Sequence, residues 1–365
     1  MKMTDNKIAN LLESFGMNVP VSSWSAFGHG HINDTYLIKT PGTIPDFILQ
    51  RKNHLIFKDI AGMMNNIVLV TNHIRKKLMA AGETDTDRKV MNYIPTVDNR
   101  YFVKDEDGNY WTLFLFVRES HGIEEVTYPE QAFSAGKAFG HFQKQLSDLP
   151  GHLLTDTIPG FHNGKGRLAQ FQAAIAENKA GRVEAMKPVI DALLSRAGEM
   201  VQLQEWLDSG VLPLRVTHND TKINNVLYDD QNQILCIIDL DTVMPGTALF
   251  DFGDAIRTLG NTASEDEADL TKIGFNRDYF RSFTEGYLSE SREFLSEKEI
   301  QNLAFSCRYL VWEQSIRFLA DYLNGDTYYK IAYPEHNKVR TLAQLRYLEV
   351  LEENLDFMQS VVTGN

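Results

Sequence analysis

One stretch of the chain, Val216-Thr217-His218-Asn219-Asp220-Thr221-Lys222-Ile223-Asn224-Asn225, sets a histidine, an aspartate, a lysine and an asparagine at the spacing H-x-D-x-K-x-x-N. A second, Leu235-Cys236-Ile237-Ile238-Asp239-Leu240-Asp241, is an apolar run that ends in carboxylates. A loop aspartate that can accept a hydroxyl proton, then an asparagine, then an aspartate at a strand end are the components of metal-dependent phosphoryl transfer. Asp220 is the candidate general base. Asn225 and Asp239 supply hard oxygens of the kind Mg²⁺ takes. Lys222, two residues past Asp220, can neutralise charge on a transferred phosphoryl group, and His218 fits a bracing role better than a chemical one.

Two further segments bear on that chemistry. Gly28-His29-Gly30-His31-Ile32-Asn33 is a glycine-rich turn. Glycines let a backbone approach phosphates closely, so Gly28 and Gly30 are candidate nucleotide contacts. His31 and Asn33 offer polar side chains to phosphate or substrate. Asp251-Phe252-Gly253 spells the metal triplet of protein kinases but lies 26 residues past Asn225, where Asp239 lies 14 past it and directly follows a strand. The metal role therefore goes to Asp239, leaving Asp251 and Asp254 to cap a helix or brace the catalytic loop. Asp241 is open between a second metal or substrate contact and a loop anchor.

The elements that must position these residues fall into two groups. Asn6 to Phe15 reads as an amphipathic helix. Residues 24–27, 35–39, 47–50, 90–94, 101–103 and 110–116 read as strands, with a helix over 59–80. Beyond Ser120 the pattern is helical: 128–149, 167–178, 183–209, 278–289, 298–324 and 339–363, with short strands around Val226 and Ile237. The expected fold class is α+β: a small antiparallel β-rich lobe over 1–118 that binds nucleotide, and a larger helical lobe over 119–365 with the catalytic loop, metal site and substrate pocket. The hinge falls at Val117 to Gly122.

Composition limits the alternatives. The 365 residues are 43% hydrophobic and carry a formal net charge of −13. Without a basic footprint there is no sign of a nucleic-acid partner. No apolar run approaches the roughly 18 residues of a membrane span, and the polar start of the chain does not resemble a secretory leader. Of the two cysteines, Cys236 and Cys307, Cys236 lies in an apolar strand that suits a small buried hydrophobe. These features point to the cytoplasm. No sustained heptads mark a dimer seam, which leans toward a monomer without fixing the oligomeric state.

His218-Asn219-Asp220 through Asn225, with Ile238-Asp239-Leu240-Asp241, resembles the aminoglycoside phosphotransferase and choline kinase superfamily, whose fold is bilobal and protein-kinase-like. Gly30-His31-Ile32-Asn33, Leu249-Phe250-Asp251-Phe252-Gly253-Asp254, Arg317-Phe318-Leu319-Ala320-Asp321-Tyr322-Leu323 and Tyr333-Pro334-Glu335-His336-Asn337 extend the resemblance, more narrowly, to the N-acetylhexosamine 1-kinases. The resemblance implies transfer of phosphate from ATP, with Mg²⁺, to the anomeric hydroxyl of an N-acetylhexosamine. It implies Asp220 as base, Asn225 and Asp239 on the metal, and His31, Asp239, Arg317 and Tyr328 around the sugar. A kinase for choline, homoserine, methylthioribose or an aminoglycoside is the alternative, and a pseudokinase binding module a further one. One departure stands out. Kinases place a lysine on the third strand and a glutamate on the following helix. Here the strand reads Phe47-Ile48-Leu49-Gln50-Arg51, and Asp59 to Leu78 holds no glutamate. With both halves missing, the nucleotide site is expected to rely on metal, the glycine turn and Arg51.

Overall fold

A computed structural model describes residues 3–28 and 32–364 of the chain. They divide into two compact units. The first comprises Met1–Gly122, Leu153–Ile158 and Asn225–Met244, the second Ile123–His152, Pro159–Asn224 and Pro245–Asn365.

The first unit is built on an antiparallel sheet of β1 (Ser23–Ala26), β2 (Asp34–Lys39), β3 (Phe47–Lys52), β4 (Val103–Lys104) and β5 (Tyr110–Leu115), in the order β1-β2-β3-β5-β4. Alternation sends Phe47 and Leu49 of β3 and Trp111 and Leu113 of β5 to one face. There they join Ile8, Leu11, Leu12 and Phe15, which the Asp5–Ser14 helix presents at helical spacing. Thr4 caps that helix through Lys7 N at 3.3 Å. The expected strand over 90–94 is only a bridge, Tyr93 to Phe114, with Ile94 N donating to Leu113 O at 2.8 Å. The next helix, Ile60–Ala80, is capped by Asp59, whose carboxylate accepts from Gly62 N. The same unit holds the hairpin Val226–Tyr228 and Ile234–Ile237, with His121–Gly122 along its edge.

A partly buried polar tie joins the first helix to the β4–β5 turn. Asp105 accepts from Lys7 Nζ at 2.7 Å and from Trp111 Nε1 and Asn109 N, each at 2.8 Å. Burial pushes the Asp105 carboxyl up, but these donors outweigh it and hold its pKa at about 2. A depressed carboxylate stabilises the fold above its unfolded value near 3.8 and loses that contribution as pH falls toward 2. The shift corresponds to about 2 kcal/mol. Asp105→Asn should therefore lower the urea midpoint at pH 5–7, and its deficit against wild type should shrink as pH falls below 4. A deficit that stays constant through pH 3 would show that the charge contributes nothing.

The second unit is helical. Its main helices are Pro129–Leu146, Gly164–Glu177, Val183–Leu194, Ala248–Leu259, Arg277–Ser291, Leu303–Asn324, His336–Glu353 and Leu355–Thr363. Three long helices expected from periodicity are broken, 339–363 among them at Asn354. Residues 183–209 form three helices. Residues 298–324 break at Asn302, after a short helix that Ser296 and Glu299 start with a capping box. The buried Glu299 carboxylate also receives Arg215 at 2.5 and 2.7 Å, which fixes the break. Leu303–Asn324 is buried on nearly every side, as expected of a central helix. It stops where Gly325 turns left-handed (φ 97°).

Pro129–Leu146 and Arg277–Ser291 approach backbone to backbone. A methyl on Gly140 would sit 2.5 Å from Tyr287 O, and one on Gly286 would meet Phe133 O closer still. Those partners are main-chain carbonyls inside helices and cannot swing away. Gly286→Ala should cost at least the roughly 1–3 kcal/mol of an overpacked core, read as a lower thermal midpoint. An unchanged midpoint would mean that the two helices separate freely.

Candidate active site

In the second unit, the strand Arg215–Thr217 delivers the chain to His218, Asn219 and Asp220. The loop is held by the start of the Ala248–Leu259 helix. Asp251, fully within the core, accepts from His218 N at 3.0 Å, Asn219 N at 2.8 Å and Gln143 Nε2 at 2.6 Å. Asp254 accepts from Thr221 N at 3.0 Å, and Thr221 Oγ1 donates to Asp251 O at 2.6 Å. Asp251 and Asp254 thus brace the loop. Burial keeps the Asp251 carboxyl above its ordinary range, against His218 and its three donors. Burial also pushes Asp254 up, but Arg257, Lys222 and His162 outweigh it and hold this carboxyl low.

This bracing fixes a backbone that would not hold its shape alone. Asn219 is left-handed (φ 64°), a region asparagine tolerates better than most side chains. His218 is buried, edge-on to Phe139 and Phe142 with ring centroids 5.9 Å away, and its Nδ1 accepts from Asp220 N at 3.3 Å. The Asp220 side chain stays 28% accessible and pairs with Lys222 Nζ at 2.9 Å. The Asp220 charge raises the Lys222 ammonium above its ordinary value, against burial. A carboxylate held by its backbone, open to solvent and flanked by a permanent cation can take a proton from an incoming hydroxyl.

In the first unit, strand pairing places Asn225 and Asp239 together. Asn225 ends the turn Ile223–Asn225 just before the hairpin, and Asp239 follows its second strand. Val226 pairs with Ile237, and Ile238 N donates to Asn225 O at 2.9 Å. Both side chains therefore leave the same end of the hairpin. Asp239 is exposed and left-handed (φ 58°, ψ 56°), a strained conformation of a kind that gathers at functional sites. An amide oxygen and a carboxylate suit Mg²⁺, which keeps waters and substrate phosphates for most of its shell. Among the described residues no three His, Cys, Asp or Glu side chains group as a metal shell.

The third strand corrects the sequence reading. β3 runs through Lys52, two residues past the expected 47–50 and one past Arg51, so the strand does carry a buried lysine. It lies on the same face as Gln50 and donates to Gln50 Oε1 and Asp241 Oδ1, each at 2.5 Å. Asp241 is 3% exposed and also accepts from Asn33 Nδ2 at 2.8 Å. Asn33 Oδ1 in turn accepts from Asn53 N at 3.1 Å. Arg51 points the other way and binds Asp34 and Asn109 at the surface. Gly28 is left-handed (φ 76°); Gly30 and His31 lie outside the described residues. Beside Asp241, the buried Tyr93 phenol is pushed well above its ordinary value by burial and by the charges of Asp241 and Asp239.

Arg317 and Tyr328 come together in the second unit. Arg317 donates to Gln314 Oε1 at 3.2 Å and lies 3.7 Å from Glu313, one turn back on its helix. It also lies over Phe161 and Tyr329, 5.3 and 5.9 Å from their centroids. Tyr328 is 68% exposed and edge-on to Tyr329. Sequence reasoning missed three of their companions. Glu313, buried, binds His162 Nδ1 at 2.7 Å and sits 3.5 Å from Arg167 Nε. Only the i, i+4 spacing of Glu313 and Arg317 hinted at this. Burial, then the charge of Arg317, pulls Arg167 below its ordinary value. Arg257, paired with Asp254 at 3.0 Å, bears electrostatically on both Arg317 and Lys222. Asp321 fixes the aromatic loop, accepting from Thr327 N and Tyr328 N at 2.8 Å and Tyr329 N at 2.9 Å.

Residues 23–287 match the phosphotransferase enzyme family, APH. Among solved structures, the spectinomycin phosphotransferase APH(9)-Ia in complex with ADP and spectinomycin aligns over 97% of this chain and 100% of its own, at 15% identity and a TM-score of 0.59. An aminoglycoside phosphotransferase from Alicyclobacillus acidocaldarius aligns over 98% of both chains at 13% identity and 0.60. A Plasmodium vivax ethanolamine kinase aligns over 88% of this chain and 82% of its own at 12% and 0.54. At such identities the likeness is one of fold, and the fold is the α+β, kinase-like one expected from the sequence.

Proposed function

This chain belongs to the phosphotransferase enzyme family, and from that premise we propose that it is an ATP-dependent kinase for the anomeric hydroxyl of an N-acetylhexosamine. Asp220 takes the proton of the sugar hydroxyl as its oxygen forms a bond to the terminal phosphorus. The bond from that phosphorus to the departing diphosphate breaks, and Lys222 offsets charge on the transferred group. Asn225 and Asp239 would hold Mg²⁺, which would offset the negative charge of the nucleotide phosphates. Residues 1–118, with Gly28 and Gly30, take the nucleotide. Residues 119–365 carry the base and, with Arg317 and Tyr328, bind the sugar, to which Asp239 and His31 also contribute.

The observation that carries the substrate assignment is the balance of charge around Arg317. Two partly buried guanidiniums, Arg167 and Arg317, share one buried carboxylate, Glu313. Such a group repels a polyamine sugar or a quaternary ammonium, both of which need acidic or caged aromatic surroundings. It suits hydroxyls and an amide carbonyl, which accept from arginine, and the exposed Tyr328 offers a flat apolar face. The binding-module alternative drew on the absence of a third-strand lysine, and the strand does carry one, Lys52. The test is turnover across a panel of N-acetylhexosamines, choline, homoserine, methylthioribose and aminoglycosides, with phosphorus NMR locating the phosphate. N-acetylhexosamine 1-phosphate is expected. Turnover of choline or an aminoglycoside, with none on N-acetylhexosamines, would overturn the assignment.

A further inference from the structure

The Leu303–Asn324 helix is buried on nearly every side, yet Gln314, Arg317 and Asp321 set polar groups along one face of it, at helical spacing. The two residues that flank Arg317 in this stripe are both engaged. Asp321, 5% exposed, accepts four hydrogen bonds, as many as a carboxylate has lone pairs to offer. Its Oδ1 takes Thr327 N and Tyr328 N, each at 2.8 Å, and its Oδ2 takes Tyr329 N and Asn337 Nδ2, each at 2.9 Å. Gly325 and Asp326 are both left-handed (φ 97° and 62°), which reverses the chain so that three successive main-chain N–H groups meet that carboxylate. Asp326 is held in turn, by Asn337 Nδ2 at 2.9 Å and Arg182 Nη1 at 2.6 Å. Gln314 connects Arg317 to the same loop. Its Oε1 accepts from Arg317 Nη1 at 3.2 Å, and its Nε2 donates to Tyr329 Oη at 3.3 Å. Tyr329 packs on Phe318 and edge-on against Tyr328, with centroids 4.8 and 4.9 Å apart. The main chain of the loop is thus fastened while the Tyr328 ring stays exposed.

We propose that Asp321 and Gln314 are positioning residues that set the sugar pocket and its selectivity: Asp321 holds the loop that presents Tyr328, and Gln314 fixes Arg317 relative to it. Both act through Arg317 and Tyr328. Asp321 has no acceptor position left for a ligand, which rules it out as a direct contact. A loop held in its binding shape before the sugar arrives loses little further conformational freedom when the sugar binds. The Arg317 guanidinium can donate to an acetamido carbonyl. Its placement beside Tyr328 therefore separates an N-acetylhexosamine from the parent hexose, which lacks that carbonyl. This inference rests on the kinase reading above and names what makes its acceptor site selective.

The experiment compares wild type with Asp321→Asn and Gln314→Met. Asparagine keeps the shape of the side chain but turns an NH2 group toward two of the four donors. Methionine keeps the length of Gln314 and removes both of its hydrogen bonds. Gln314 is only half-buried, so this variant decides the matter if Asp321→Asn does not fold. Rates are measured with N-acetylglucosamine and glucose, glucose being followed also as a competitive inhibitor, and Mg²⁺–ADP affinity is measured by calorimetry. KM for N-acetylglucosamine should rise about tenfold in Asp321→Asn and about threefold or more in Gln314→Met, since a shift of about 1 Å in a supporting group can cost about 100-fold. The preference for N-acetylglucosamine over glucose should fall about fivefold or more in Asp321→Asn and about threefold or more in Gln314→Met. Mg²⁺–ADP affinity should stay within about twofold of wild type. A merely structural role would weaken both sugars alike and leave the preference where it was. An unchanged preference in the folded variants, or a loss of Mg²⁺–ADP affinity in step with that for the sugar, would overturn this proposal alone. A wild type that phosphorylates no N-acetylhexosamine would overturn the substrate reading and this proposal with it.

Discussion

Asp220→Asn is expected to abolish nearly all turnover while leaving nucleotide affinity where it was. The substitution keeps the shape of the side chain and removes its ability to take a proton. General-base contributions are about 10²–10⁴-fold, so kcat should fall by roughly that factor. The loop itself should survive, because its form is set from below. Asp251 holds the main-chain N–H groups of His218 and Asn219, and Asp254 holds that of Thr221. None of those bonds involves the Asp220 side chain. Lys222 loses its partner at 2.9 Å, but both groups are accessible and such pairs contribute less than about 1 kcal/mol. The thermal midpoint should therefore move little. Initial rates of phosphosugar formation and calorimetric binding of nucleotide check the two halves separately. A kcat within tenfold of wild type would show that another group, or water, takes the proton. A parallel loss of nucleotide binding would show that the substitution acts through the fold.

The parts of this site that were legible in the sequence are those whose geometry is local. H-x-D-x-K-x-x-N puts Asp220 and Lys222 two residues apart, and an apolar strand ending in aspartate fixes Asp239 relative to Asn225 through one hairpin. The role of Asp251 was also readable, because 26 residues was too long a step for the metal position. Lys52 was lost by one residue at a strand end, where chain pattern is weakest. Placing the end at Arg51 left out the lysine that the fold buries on the other face, since neighbouring residues in a strand face opposite ways. Asp241 was ambiguous because what decides it, Lys52, lies 189 residues earlier in the chain. Glu313, His162 and Arg167 were missed for the same reason: burial makes their pairings specific, and burial is a property of the packed helices. The long stretch 183–209 reads as a single amphipathic run, yet the chain turns twice within it, a tertiary choice that periodicity does not record.

Asp239→Asn should raise the Mg²⁺ concentration needed for half-maximal nucleotide binding by about 100-fold or more, since loss of even an outer partner of a metal site costs about 10–100-fold. Asparagine is the informative replacement. Asp239 is left-handed, and asparagine accepts that backbone where alanine would add about 1–2 kcal/mol of strain. The amide keeps one oxygen and loses the charge, so the asparagine variant isolates electrostatics while Asp239→Ala adds distortion of the turn. Alanine should therefore be the worse of the two in thermal stability as well as in Mg²⁺ response. The neighbouring carboxylate offers no rescue. Asp241 is held by Lys52 and Asn33, and freeing it would leave a buried ammonium unpaired, at several kcal/mol. Excess Mg²⁺ should recover part of the turnover of Asp239→Asn and none of that of Asp220→Asn, which separates a metal ligand from a base. If half-maximal Mg²⁺ for Asp239→Asn stays within twofold of wild type, Asp239 does not hold the ion.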